Sequence, residues 1–458
     1  MERPVFTPRP QKREPPAPVP SPAAAAVRRV PFNVVDELIH HLDAPGEPWT
    51  VQVEAETGGR LDEGRLHSAI TAALARHPMA RARRGSVPAW HRRLVWEIAP
   101  QAEHDVLQVV DCADEAALAA ARARFYSEPV SLAAAPPLRV QLAREPVGDR
   151  LMLSVHHAAS DGLGSLRILI SIARAYAGVP DPVPDVDPLA IRNLGASLGE
   201  EHFADRAKRL LGFFGNVRKP RARVAPDGAD HRPGFGFHTV RLPPGETAAL
   251  TRKRLAGAAT VNDLLLAALH LAIARWNDAH GVPCERIAVM TPVNLRPRER
   301  WHEIVGNFSS FVTVSTRAHD RTTPARALAA VAERTGMLKR AQAAAALVDV
   351  LATQPWQPLA VKRAAWPLLA YVGNRVIDTA VLSNLGALRE APAFAPDGGR
   401  ISGLWFSPPV LMPIGLAIGA ATLDGRLHLT FRYRHALLSH GAAMRFAIGY
   451  VEALRDLA

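Results

Sequence analysis

Two adjacent histidines followed by an Asp-Gly pair, in His156-His157-Ala158-Ala159-Ser160-Asp161-Gly162, are the residues of this chain whose types and spacing best suit chemistry. Side chains alternate across a strand, so an extended Leu151 to His157 puts Leu151, Leu153, Val155 and His157 on one face. Met152, Ser154 and His156 then take the other. Only one histidine can face a given cleft, and the other is structural. Imidazole, with an ordinary pKa of about 6.5, can take a proton from a hydroxyl or amine as that group attacks an acyl thioester. Asp161 can orient the following turn through the imidazole or through a distant cation. Gly162 suits a tight turn or a close approach of substrate, where a Cβ would clash. A metal site built on His156, His157 and Asp161 fails on geometry: adjacent strand residues diverge, and no Cys or His cluster completes a shell. No metal is expected. The second pair, His40-His41, has no Asp-Gly after it and reads as a structural pair in a loop-like setting.

Several elements must position this segment. Short apolar runs at Leu138 to Leu142 and Leu151 to Val155, bounded by Pro, Gly and Asp, read as the two strands of a hairpin. Gly162 to Tyr176 is helical, with Leu166, Leu169, Ile170 and Ala173 on one face. Upstream, Leu61, Leu66, Ile70, Ala73, Leu74 and Met79 recur at helical spacing, in a helix ending near His77-Pro78. The second half opens with a strand at Phe237 to Leu242 and a helix from Val261 to Trp276. Strands follow at Ile287 to Pro292, Phe308 to Thr316, Thr379 to Ser383, Leu416 to Ala421 and Leu427 to Tyr433, and a last helix from Ser439. Helices and strands alternate in both halves, the pattern of layered α/β sandwiches.

At 458 residues the chain exceeds one ordinary core. Residues 1–29 are Pro- and Ala-rich and expected to be disordered. Residues 30–180 form a first subdomain carrying the histidine motif, 181–235 a linker or crossover, and 236–458 a second subdomain. A helix near Glu200 to Phe214 lies within the linker, whose basic stretch from Arg206 to Arg223 reads as solvated. Fifty-five Lys and Arg against 43 Asp and Glu leave a charge of +12, spread without a basic tail or a nucleic-acid reading motif. That diffuse excess suits an anionic small substrate, an acidic protein or at most a peripheral membrane contact, and not nucleic acid. Cys112 and Cys284 give neither a disulfide framework nor a zinc spacing. No apolar run reaches the roughly 18 residues of a membrane span, and Val410 to Leu423 reads as a buried strand and turn. A cytoplasmic protein is expected.

The histidine segment resembles the HHxxxDG acyltransferase superfamily, which includes chloramphenicol acetyltransferase, the condensation domains of peptide synthetases, plant BAHD acyltransferases and bacterial wax ester synthases. The resemblance runs from about residue 30 to the end. Leu61-Asp62, Arg76-His77-Pro78 and Arg81 are similar to an "LD…RHP…R" first helix. Glu128 to Leu132 with Pro136 to Arg139 resembles the approach to the active-site strand. Thr260 to Asp263 with Leu264 to Ala268, Pro292 to Arg296, and Ser383 to Gly386 follow in family order. The plant-type DFGWG segment is missing, and Ser402 to Ser407 is a distant echo of it.

The resemblance implies an α/β (α+β) fold of two chloramphenicol-acetyltransferase-like sandwich subdomains in pseudo-repeat, with an active-site tunnel between them. His157 would be the general base and His156 a supporting residue. Asp161 would point away from substrate into a salt bridge, with Arg296 as its expected partner. Ser383 or Asn384 would donate to a developing oxyanion, and Asn307 and Ser309 are alternative tunnel linings. The expected reaction is transfer from an acyl thioester, acyl-coenzyme A first, to an alcohol or amine. No cofactor is implied, since the coenzyme A or phosphopantetheine thioester is substrate. A condensation enzyme fed by an acyl or peptidyl carrier protein, a wax ester or diacylglycerol synthase, and a silent docking protein are the alternatives.

Overall fold

A computed structural model describes residues 27–43, 46–182, 186–194, 211–212, 220–229, 232–256, 259–282, 284–296, 303–352, 357–365, 377–388 and 391–458. The Pro-rich N-terminus through residue 26, and most of the helix expected near Glu200 to Phe214, lie outside the described residues. The first half runs β1 (Arg28–Pro31), α1 (Val34–Leu42), β2 (Thr50–Thr57), α2 (Glu63–Arg76), β3 (Ala82–Arg84), β4 (Val95–Ile98), β5 (Leu107–Asp111), α3 (Glu115–Ser127), β6 (Leu138–Arg144), β7 (Asp149–His156) and α4 (Gly162–Ala177). The second runs β8 (Phe235–Arg241), α5 (Pro244–Ala256), α6 (Val261–Ala279), β9 (Arg286–Asn294), β10 (Ser309–Arg317), α7 (Pro324–Arg340), α8 (Ala345–Ala352), α9 (Leu359–Ala365), β11 (Ala380–Ala387), β12 (Ala393–Phe394), β13 (Gly399–Ser407), β14 (Leu416–Leu423), β15 (Arg426–Arg434) and α10 (His440–Leu457).

Among these residues the strands form two six-stranded sheets, ordered β12-β13-β2-β7-β6-β5 and β10-β9-β11-β14-β15-β8, and a small sheet β1-β4-β3. The expected hairpin is present: β6 and β7 pair antiparallel from Leu138 opposite Val155 to Arg144 opposite Asp149. The apolar faces of β2 and β7, with Val51, Val53, Leu151, Leu153 and Val155, pack on Ile70 and Leu74 of α2 and Ile168, Leu169 and Ile172 of α4. A second core surrounds α6 and α10 against the other sheet. The fold is the mixed α/β pseudo-dimer that the resemblance implied.

The residues of the "LD…RHP…R" pattern turn out to be braces. Asp62 caps α2 by accepting from the Arg65 N–H. His77 ends that helix, and its Nε2 lies 2.7 Å from Ser171 Oγ on α4. Burial pushes its imidazole down to about 3, so the ring joins the two helices as a neutral group. Arg81 donates to the carbonyls of Leu74, Ala99 and Pro100. Thr260 and Asp263 form a reciprocal capping box at the start of α6, which explains why the Thr-Val-Asn-Asp sequence opens a helix.

Three boundaries need correction. The span expected to be disordered, 1–29, runs too far, because β1 begins at Arg28 and pairs Arg28 with Ile98 and Arg29 with Glu97. Residues 236–458 do not all belong to the second half, because β12 and β13 cross over. β13 pairs antiparallel with β2 from Ile401 to Ser407 and so extends the sheet of the histidine motif. The 181–235 linker is also not wholly solvated: Arg221 is 9% exposed with its guanidinium 2.7 Å from the buried Asp378 carboxylate, and Val224 and Ala225 join the second core.

The crossover brings β13 against β14 of the other sheet, and one glycine makes this possible. A Cβ at Gly419 would lie 1.7 Å from the Phe406 carbonyl oxygen. Gly419→Ala is therefore expected to destabilise the protein by about 3 kcal/mol or more, since backbone cannot yield as a side chain does. Gly449→Ala, within α10 where an added Cβ meets nothing within 4 Å, is expected to stabilise by up to about 1 kcal/mol. Equilibrium urea unfolding of the two variants measures both.

Candidate active site

Strand β7 ends at His156, and Ala159 and Ser160 turn back by donating to the His156 carbonyl. α4 begins immediately after this turn, with Asp161 as its N-cap. His157 leaves the ladder between these elements. Its N–H donates to the Trp49 carbonyl at 2.8 Å, which continues the register that pairs Thr50 with His156. The two histidines diverge as alternation requires.

His156 is 1% exposed. Its Nδ1 accepts from the Ala158 N–H at 3.1 Å, and its Nε2 lies 3.5 Å from Asp43 Oδ2. Burial works against the Asp43 carboxylate, but the hydrogen bond and charge of His156 outweigh it and hold its pKa below the ordinary value. Asp43 also accepts from the Trp49 N–H at 2.9 Å. Both histidines are thus fixed through one short segment, Asp43 to Thr50.

Burial lowers the pKa of His157, and the charge of His156 adds to this. Its own backbone and Asp161 act the other way without restoring it. The imidazole is therefore neutral near pH 7, the state a proton acceptor needs. Its Nδ1 is buried without a hydrogen-bond partner on another described residue.

Asp161 points away from this ring. Oδ1 accepts from the Gly164 N–H at 2.9 Å and from Arg296 Nη2 at 2.8 Å, and Oδ2 from Arg296 Nη1 at 2.7 Å and the Phe308 N–H at 2.9 Å. Burial alone would raise this carboxyl; the Arg296 guanidinium and the two backbone donors bring it below the ordinary carboxylate value. Arg296 uses all five donors, the other three going to the Ile304 and Gly306 carbonyls and Asn294 Oδ1. Its plane also lies 4.8 Å over Phe308. This is the expected partnership, across 135 residues of sequence.

Gly162 is required by packing, for a Cβ there would come within 2.9 Å of Leu385 and of the Phe406 ring. Gly164 is equally tight against Ser160 and the Gly306 backbone. Asn307 is fully buried beside the ion pair and accepts from Ser309 Oγ at 2.8 Å, while its carbonyl accepts from Asn33. Ser383 and Asn384 stand on β11, two residues and one residue before the Leu385 that meets Gly162. The Asn384 carboxamide oxygen accepts from the Gly386 N–H, tying it into the strand's own turn.

Sequence reasoning missed Asp43, Trp49 and Phe406. The nearest signal was the His40-His41 pair, which stands in the last turn of α1 rather than in a loop. His40 is pushed down to about 4 by burial and by the charges of Arg84, His41 and His156, which places it in the same electrostatic neighbourhood. Phe406 lies in the Ser402 to Ser407 stretch, the distant echo of a family segment, and that stretch is the crossover strand itself.

Among the described residues no cluster of His, Cys, Asp and Glu could hold a metal, and no helix is long and apolar enough to cross a membrane. Cys112 is buried and Cys284 partly so, and burial raises both thiols.

Removing the Asp161 charge strands a fully buried guanidinium. Asp161→Asn is expected to cost about 3–5 kcal/mol in chemical denaturation. The depressed folded pKa also gives the sign with pH. The ionised carboxylate's stabilisation is complete above its unfolded value of about 3.9 and is lost as pH falls through the folded one. Acid unfolding should therefore begin at higher pH in a variant such as Arg296→Lys, which weakens the pair.

A family model for the condensation domain matches residues 38–346, a span that includes Asp43, both histidines, Asp161 and Arg296. Two uncharacterised proteins of Mycobacterium tuberculosis, one from strain H37Rv and one from strain CDC 1551, are each 39% identical over 430 residues, covering 92% of this chain and 98% of their own. Among solved structures, the first condensation domain of the CDA synthetase superposes with a TM-score of 0.70 at 16% identity, covering 95% of this chain and 97% of that one. The epimerization domain from the third module of tyrocidine synthetase B gives 0.67 at 16% identity, covering 95% and 98%. At such identity the structures attest the fold, while the match over residues 38–346 shows that the chain belongs to the condensation-domain family.

Proposed function

We propose that the protein is an acyltransferase that moves an acyl group from a pantetheine thioester to a hydroxyl or amine, with His157 as general base. The observation that carries this reading is a neutral imidazole just after β7, on a residue whose backbone is held by the Trp49 carbonyl at one side and by the Asp161-anchored turn at the other.

In this mechanism the acceptor's O–H or N–H gives its proton to His157 as the oxygen or nitrogen attacks the thioester carbonyl carbon. The new C–O or C–N bond forms first and moves negative charge onto the carbonyl oxygen; the carbonyl is restored as the C–S bond breaks. The departing thiolate recovers the proton from the imidazolium and leaves as free thiol. Asp161 takes no part in proton movement, because both its oxygens are engaged by Arg296 and backbone donors. It acts by fixing the turn that carries His157. An acyl-enzyme is not invoked, since burial raises both cysteine thiols above their ordinary values.

Acyl-coenzyme A is the first donor to test. A donor presented on a carrier protein is the second reading, favoured by the condensation-family match. Both carry the same pantetheine thioester.

Thiol release from acyl-coenzyme A and acyl-carrier-protein panels, with pooled alcohols and amines, is expected to depend on the acceptor. It should fall about 10²–10⁴-fold in His157→Ala. Release that is unchanged in that variant removes His157 as base, and an inactive wild type with every donor removes the transferase reading. Because burial lowers the His157 pKa, the active neutral form persists below pH 6.5. The acid limb of kcat/KM is expected below that value, with activity lost as pH falls through it.

A further inference from the structure

Trp49 is held through its own backbone and through the carbonyls on either side of it, while its side chain is left with an unmet donor. Its N–H donates to Asp43 and its carbonyl accepts from His157. On either side, Arg432 of β15 donates to the carbonyls of Thr50 and Pro48, at 3.1 and 3.5 Å. Arg432 is itself fully buried, stacked over Phe235 at 4.0 Å, and burial pushes its pKa down to about 9. A desolvated cation from the second sheet thus clamps a tripeptide of the first.

The clamped residue stands directly across the strand pair from His157. Opposed residues of antiparallel strands project to the same face, and the two rings lie 6.3 Å apart between centroids, tilted at 43°. Yet Trp49 Nε1 is buried and has no hydrogen-bond partner among the described residues. Indole is a donor only, so it can be met by an acceptor and by nothing else. A buried donor without an acceptor is unfavourable, and proteins keep such groups chiefly where a ligand or water completes them. The acceptor that the transfer reaction would bring beside His157 is the thioester carbonyl oxygen, which gains negative charge as the nucleophile adds.

We propose that the Trp49 indole N–H donates a hydrogen bond to the acyl carbonyl oxygen of the thioester and to the oxyanion that develops from it. The proposal rests on the transferase reading above and adds a residue to it. Trp49 would be a catalytic residue, placed in advance by Asp43 and Arg432 so that no reorganisation is needed when charge develops.

Trp49→Phe keeps the ring and removes the donor. With the best donor and acceptor from the panel, its kcat is expected to fall about 10²-fold, with the KM for the thioester rising by up to about tenfold and the KM for the acceptor unchanged. A binding measurement separates this from lost structure. The probes are a pantetheine ketone with the same acyl chain, in which methylene replaces sulfur, and the matching alkyl thioether without the carbonyl. Titration calorimetry is expected to show the ketone binding about tenfold more weakly to Trp49→Phe than to wild type. The thioether should bind both equally. An active wild type whose Trp49→Phe variant matches it in kcat and in ketone affinity overturns the role of Trp49 and leaves the transferase reading standing. Should Trp49→Phe lose both ligands, Trp49→His, which restores a ring N–H, must recover the preference for ketone over thioether, or the proposal falls. A wild type that neither turns over any thioester nor binds either probe overturns the transferase reading itself.

Discussion

The pairing of Asp161 with Arg296 is the constraint on which the rest of the site depends. One carboxylate receives four hydrogen bonds, from the guanidinium, from the first turn of α4 and from the Phe308 backbone. Those donors come from two halves of the chain that share no local sequence. The pair therefore does more than join two charges, whose desolvation offsets much of their attraction. It sets where the turn after β7 ends relative to the second half, and hence where His157 stands. Arg296 could not be exchanged for an ammonium group without leaving acceptors unmet, because all five of its donors are assigned in a planar arrangement.

A second set of contacts fixes the other side of the imidazole. Asp43 reaches both the Trp49 N–H and His156, while Arg432 reaches across from the second sheet to Pro48 and Thr50. Position is thus set twice from the second half, by Arg296 through the turn and by Arg432 through β2. Phe406 adds an apolar counterpart, with its carbonyl against Gly419 and its ring against Gly162. The chemistry proposed for the site is modest, a proton held briefly by a neutral imidazole, and on that reading most of the structure serves placement.

What the sequence made legible follows from what was periodic. β6, β7, α2, α4, α6 and most strands of the second half have one apolar face and one polar face, and these were read within a few residues of their bounds. The Asp161–Arg296 partnership was also anticipated, through resemblance rather than periodicity. β2 has the same alternation, Val51, Val53 and Ala55 against Gln52, Glu54 and Glu56, and was passed over; what its pattern does not announce is that the charged face is covered as well. In the structure Glu54 is buried, bound by Arg122 and Arg150, and Glu56 meets Arg241. Its charges are satisfied by partners from α3, β7 and β8 that no local window contains. Asp43 and Trp49 were hidden for the same reason, since their roles arise only once β2 has been laid beside β7. β13 was taken as part of the second half because chain order is the natural guide, and nothing in Gly399 to Ser407 announces that it pairs elsewhere.

That misplaced strand has a consequence for how the two halves are related. A polypeptide whose C-terminal part lends a strand to the N-terminal sheet has no point at which it can be cut into two self-sufficient pieces. Ending it ahead of residue 393 would bare the β2 edge, whose unpaired amides and carbonyls are a template for foreign strands. The chain also crosses between the sheets on entering and on leaving this strand, so relative movement of the halves must be taken up in the segments that flank it. How far the two lobes can part is thus set by a seam stitched by two chain crossings, one on each side of residues 399–407.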